Sequence, residues 1–106
     1  MRKRHGWAHD VACDAPGMSL DQLKTFVAIA EEGTVTAAAS KLHRTQPPVS
    51  RQLVSLEDEL QTKLFLRQVR GMRLAPAGEA FFVHARRILA AVDDALVAVR
   101  APAPLV

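Results

Sequence analysis

The sequence predicts a mainly α chain: three short helices, a small β-hairpin and one long terminal helix. Three observations carry this. Apolar residues recur at helical spacing in four separate stretches of the 106 residues. Prolines and glycines fall at the joints between those stretches, where helices start or stop. Between Phe65 and Leu74 the helical period disappears, and two short runs flank an Arg-Gly pair, as in a hairpin.

In chain order, residues 1–17, MRKRHGWAHDVACDAPG, show no sustained periodicity and end in Pro16 and Gly17. A poorly ordered leader is expected there. His5, His9 and Cys13 are spaced four and four, which would line one face of a helix. With no helix signal and no second cluster they are read as part of an irregular leader, and no metal site or cofactor is assigned. Met18 is an alternative start for the chain.

The first helix begins at Ser19, which with Gln22 has capping-box spacing. Leu20, Leu23, Phe26, Val27 and Ala30 form its apolar stripe, widened by Ile29, and Gly33 suits its C-terminal stop. Its expected role is scaffold. The second helix runs from about Val35 to Leu42. Val35, Ala38 and Leu42 are its inward positions, and its small residues allow another helix to come close. His43 and Arg44 break it.

Thr45 then reads as the N-cap of a third helix, its hydroxyl placed to accept a free backbone N–H. Pro47 and Pro48 are compatible with a helix start, because the first N–H groups of a helix have no internal partner. Val49, Leu53, Leu56 and Leu60 share one face, whereas Gln46, Pro47, Ser50 and Arg51 lie away from it. The outward face of the first turns is thus small, polar and basic. Gln can pair with adenine, Arg with guanine, and Ser with base or phosphate. A helix, a short turn and a second helix of this kind form a helix-turn-helix.

After Leu60, Leu64 and Phe65 anchor the connection to the core. Strands are expected at Phe65–Val69 and Met72–Leu74, with Arg70 and Gly71 as the turn. Arg67, Arg70 and Arg73 decorate this wing, which suits phosphate or minor-groove contact. The fold class is therefore a winged helix-turn-helix with a long helix appended. That helix is expected from about Ala77 to Arg100, with Pro76 at its start and Pro102 and Pro104 beyond its end. Phe82, Ala85, Leu89, Val92, Leu96 and Val99 repeat at three and four. Only the beginning of this stripe can lie on the small domain, so a second copy of the helix is the simplest cover for the rest. The alternative is a helix that folds back as the last core element.

Composition narrows the function. The net charge is +3, and Lys41–Arg73 holds +4 of it while the remainder holds −1. Positive charge is concentrated around the third helix and the wing, as a nucleic-acid partner requires. The single cysteine excludes an internal disulfide and favours a cytoplasmic setting. No apolar run reaches membrane-spanning length. No catalytic triad order, phosphate loop or metal cluster is present, so an enzyme is not expected. Glu57, Asp58 and Glu59 are read as a solvated face.

The chain resembles the N-terminal winged helix-turn-helix domain of the LysR-type transcriptional regulators. The resemblance lies in LDQLKTFVAIAEEGTVTAAASKLHRTQPPVSRQLVSLEDEL, KLFLR and RGMRLAPAGEAF, in that order, and covers about Met18 to Arg100. It implies that Thr45, Gln46, Pro47, Pro48, Ser50 and Arg51 belong to the recognition-helix motif and that Arg70 and Arg73 lie in the wing, with Arg67 closing the LF-x-R motif. It also implies an antiparallel pairing of linker helices in a homodimer that reads an interrupted palindrome in double-stranded DNA. Residues 18–76 would form the DNA-binding domain, 77–100 the linker helix and 101–106 a tail. Gln61, Leu66 and Ala75 stand where the family often has Gly, an acidic residue and Thr. Family members continue into an effector-binding domain, so this chain is expected to be a fragment or truncated product without the effector site. A winged-helix protein–protein interaction module is the alternative function; a steep loss of DNA affinity with salt would separate the two.

Overall fold

Local sequence signals place most of the helix ends. In the computed structural model, which describes residues 17–100, helix α1 spans Leu20–Glu32. Ser19 Oγ accepts the Gln22 N–H at 3.1 Å, and Gln22 Oε1 accepts the Ser19 N–H at 2.9 Å, completing the capping box. Gly33 ends the helix in the left-handed region at φ 86°, its N–H donating to Ile29 O at 2.8 Å. The leader residues 1–16, including His5, His9 and Cys13, and the tail 101–106 lie outside the described residues.

Helix α2 spans Val35–Lys41 and is capped by Thr34, whose hydroxyl accepts the Ala37 N–H at 3.0 Å. Ala38 and Ala39 are buried, which lets α2 pack closely on its neighbours. Helix α3 spans Gln46–Leu60. Its stripe points inward as expected: Val49, Leu53 and Leu56 are buried, and Leu60 packs on the core edge. Gln61 takes the left-handed conformation, φ 56°, at the end of α3. A glycine would hold this geometry without penalty, whereas a side chain here costs about 1–2 kcal/mol. The Gln61 amide partly compensates by donating to Asp58 O at 3.0 Å.

Expectations fail at Leu20 and at Glu57 in this half of the chain. Leu20 lies in the apolar stripe by spacing but is 44% exposed, because the first turn of α1 extends past its packing partners. Glu57 is not a solvated residue. It is buried, and its Oε2 accepts the Leu64 N–H at 2.8 Å. The chain leaving α3 turns back through Gln61 and Thr62, and this carboxylate receives the amide that arrives.

Strands β1 (Phe65–Gln68) and β2 (Gly71–Leu74) pair antiparallel, with Phe65 opposite Leu74 and Gln68 opposite Gly71. The two-residue turn is therefore Val69–Arg70, one position earlier than the expected Arg70–Gly71. Gly71 is a strand residue at φ 144°, and a Cβ there would lie 2.4 Å from Gly33 O. The next residue bonds that same oxygen: Met72 N–H donates to Gly33 O at 2.8 Å. The wing is thus joined by its backbone to the junction between α1 and α2.

Helix α4 runs from Pro76 to Arg100, with proline in its first turn as expected. Its early residues complete the core. The Phe26 ring lies 5.4 Å from Phe65, 5.1 Å from Phe81 and 6.3 Å from Phe82, centroid to centroid. Among the described residues, four helices and a two-stranded hairpin make a winged helix-turn-helix followed by a long helix, the predicted class. No helix of the described residues is long and apolar enough to cross a membrane.

Candidate nucleic-acid interface

The first turn of α3 is set by what its sequence lacks. Thr45 occupies the N-cap but its hydroxyl caps nothing. An N-cap side chain bonds the N–H of the second or third helical residue. Those residues are Pro47 and Pro48, which have no N–H, so the expected capping bond has no donor. The exposed end of the helix therefore presents Thr45, Gln46 and Pro47, with Pro48 and Ser50 half-buried and Arg51 exposed. Val49, between them, is fully buried and pins the turn to the core.

Gln46 donates through Nε2 to the Thr36 hydroxyl on α2. A bidentate pair with adenine uses Oε1 and one Nε2 N–H, so the second N–H of Gln46 can stay on Thr36 and hold the amide plane. Arg51 is one helical turn beyond Pro47 and points outward with Ser50. Val54, four residues past Ser50, is exposed on the same side. The sequence stripe does not single out Val54; an apolar residue outside the stripe carries no local signal of its surroundings.

Between α3 and the wing lies a groove of about 350 Å³, lined in part by Ser50, Val54, Lys63, Leu66 and Arg67. It brings Ser50 of the helix and Arg67 of β1 to one concavity. The three wing arginines are all exposed but do not share a face. The strand register puts Leu66 opposite Arg73 and Arg67 opposite Met72, so Arg67 and Arg73 project from opposite faces of the hairpin. Arg70 sits in the turn. Leu66, apolar within the LF-x-R motif, is half-exposed at the groove rim.

Charge is ordered around the helix pair. Arg44, in the turn before Thr45, donates to both oxygens of Asp21 at 2.7 and 3.1 Å. This guanidinium, with the Gln52 amide, holds the Asp21 carboxyl below its ordinary value of 3.8. On the far side Glu31 accepts from Lys41 at 3.0 Å and from Arg86 at 2.9 Å, tying α1 to α2 and α4.

The six positions of the α4 stripe divide. Ala85 is fully buried within its own chain, and Phe82 and Leu89 pack on the domain core. Val92 is half-buried. Leu96 and Val99 are 45% and 78% exposed, alongside Val97 at 64%. The most exposed apolar residues lie in the second half of the helix, with Val83 and Ile88 of the first half also open.

No group of three or more His, Cys, Asp or Glu residues suited to a metal occurs among the described residues. The surface combines a protruding polar helix end, a basic hairpin beside it and a groove between.

Known proteins agree with that geometry. Residues 20–79 match the family model described as bacterial regulatory helix-turn-helix protein, lysR family, rather than any enzyme family. The HTH-type transcriptional regulator TfdS of Cupriavidus pinatubonensis (strain JMP 134 / LMG 1197) is 56% identical over 72 residues, 68% of this chain and 24% of that protein. The HTH-type transcriptional regulator ClcR of Pseudomonas putida is 45% identical over 84 residues, 79% of this chain and 29% of that one. The chain thus spans about a quarter of the length of these relatives. Among solved structures, the CbnR DBD–DNA complex superposes with a TM-score of 0.75 at 45% identity, covering 82% of this chain and all of that one. BenM DBD with benA site 1 DNA gives 0.75 at 40% identity, covering 78% and 93%. A motif-by-motif likeness, a matching family model over more than half the residues and a shared fold at high identity lead to one conclusion: the chain belongs to the lysR family of bacterial regulatory helix-turn-helix proteins.

Proposed function

We propose that the chain is a sequence-specific double-stranded DNA-binding domain that enters the major groove with the N-terminal end of α3. The observation that carries this is the protruding first turn, where Gln46, Ser50 and Arg51 project beyond a fully buried Val49. The two DNA complexes similar to this chain support it. Gln46 and Arg51 reach base edges. Thr45, Pro47 and Pro48 shape the approach to the backbone, and Ser50 serves base or phosphate. Arg67, Arg70 and Arg73 bind phosphates or the minor groove from either face of the wing. Residues 18–76 form this reading unit, and residues 77–100 join two copies in the bacterial cytoplasm over an interrupted palindrome.

Selecting bound fragments from genomic DNA with the purified domain tests the reading; no enrichment would refute it. On the enriched site, Arg51→Ala should cost about 1–3 kcal/mol and relax preference at one base pair. Equal weakening on every sequence would make Arg51 a phosphate ligand instead. Arg70→Ala combined with Arg73→Ala should weaken binding to all duplexes and lower the salt slope by about one unit for each phosphate no longer neutralised. An unchanged slope would remove the wing from the interface.

The exposed half of α4 carries the assembly. Two helices pairing through Leu96 and Val99 would cover apolar surface now open to water, worth about 1.5–3 kcal/mol for each side chain fully buried. Replacing Leu96 and Val99 with Lys should yield a folded monomer that ignores half-site spacing. Leu89 is unsuitable for this test because it packs on its own domain. Sedimentation of the variant beside the parent decides; a persistent dimer places the interface elsewhere.

A further inference from the structure

Arg44 is a cation in the turn that leads into the recognition helix, one residue before the N-cap. By position it reads as a phosphate ligand. Its geometry says otherwise. Both terminal nitrogens donate to the Asp21 carboxylate, at 2.7 and 3.1 Å, and one also reaches Gln52 Oε1 at 3.3 Å. Gln52 returns a bond from Nε2 to Asp21 Oδ2 at 2.6 Å and accepts the Thr25 hydroxyl. Thr25 is fully buried. Four side chains from α1, the turn and α3 thus close on one another, and both ends of the Gln52 amide are engaged.

This cluster sits where α3 has few other polar restraints. The Thr45 hydroxyl caps nothing, and two successive prolines remove the N–H groups that would fix the first turn. The polar ties from that end to the neighbouring helices are Gln46 to Thr36 and this cluster about one and a half turns further along, with Gln22 to Ser55 beyond it. A bidentate guanidinium–carboxylate pair fixes both distance and plane. A phosphate would meet the remaining guanidinium N–H groups beside a carboxylate that repels it.

We propose that Arg44 is a positioning residue. Bound to Asp21 and Gln52, it sets the rotation of α3 about its own axis, and so decides which of Gln46, Ser50 and Arg51 meet base edges; it does not itself touch DNA. This rests on the docking of α3 proposed above.

The test uses the whole chain, the duplex most enriched from genomic fragments, and a random-sequence duplex of equal length. Asp21→Asn with Arg44→Gln leaves the net charge unchanged. The double variant should remain folded by circular dichroism, keep its affinity for the random duplex and its salt slope, and lose preference for the enriched duplex by about tenfold. The exchanged pair, Asp21→Arg with Arg44→Asp, should recover most of that preference, because the Gln52 amide can turn over to serve it. In the parent, the Arg44 guanidinium resonances should keep their positions when the enriched duplex is added. A salt slope lower by about one unit in Arg44→Gln alone would show a phosphate ligand and overturn the proposal. So would an unchanged preference in the double variant, which would leave the cluster a matter of stability only. A parent that prefers no sequence would instead refute the base-reading role of α3, while shifted Arg44 resonances on the random duplex would still count against positioning.

Discussion

Phe26→Ala is expected to cost about 3–5 kcal/mol of folding stability. This one side chain joins three parts of the molecule. Phe26 is completely buried on α1, and its ring meets Phe65 of the wing and both Phe81 and Phe82 of α4 within 6.3 Å. Truncation removes the apolar burial and leaves a cavity bordered by three aromatic rings on two different elements. Those rings cannot all follow one missing partner. A domain of this size has only about 5–15 kcal/mol to lose. Urea titration should show a midpoint far below that of the parent with a similar slope. A loss under about 1 kcal/mol would mean that α4 and the wing repack over the gap, contrary to a core centred on Phe26.

Gly78→Val is the second large effect, expected at about 3 kcal/mol or more, the upper end for forcing atoms into a packed site. Gly78 is buried in the first turn of α4, and a Cβ there would lie 2.0 Å from Leu64 O and 3.0 Å from a Leu74 methyl. The obstacle is a backbone carbonyl, which cannot rotate aside as a side chain does. That carbonyl also accepts the Ala75 N–H at 2.9 Å, so displacing it disturbs the wing base as well. The variant should melt lower, with α4 loosened from the domain. An unchanged melting temperature would show that the helix can start elsewhere. The valine conformation itself is not the difficulty, because Gly78 does not need positive φ.

What can be read from the sequence is what local chemistry decides. The Ser19 box and the Gly33 stop each depend on atoms within four residues, and each forms. The inward stripe of α3 is legible for the same reason. Thr45 departs from its expected capping role although the cause is visible in the sequence: the two prolines that mark the helix start also remove the donors a cap needs. The wing turn slips by one residue because Arg-Gly resembles a turn pair. Gly71 is glycine for a reason far away in sequence, the Gly33 carbonyl pressed against it. Glu57 cannot be read as buried, because its partner amide arrives only after the chain reverses at Gln61. The stripe on α4 divides as its length implies, covered at Ala85 near its beginning and open at Val99; what the period does not give is how far the cover reaches, to Leu89.

The bond from Met72 to Gly33, with Gly71 seated against the same carbonyl, opposes swinging of the hairpin. A wing hung on a loop would adjust its height to whatever lay beneath it. This one is fastened, main chain to main chain, at the corner where α1 gives way to α2, and α2 in turn carries the approach to α3. The span from helix tip to hairpin tip is consequently a fixed caliper setting. On the docking proposed here, such a caliper gauges the step from one groove of B-form DNA to the next before any base is read. An A-form duplex, whose major groove is deep and narrow, would present the wrong step to both tips at once.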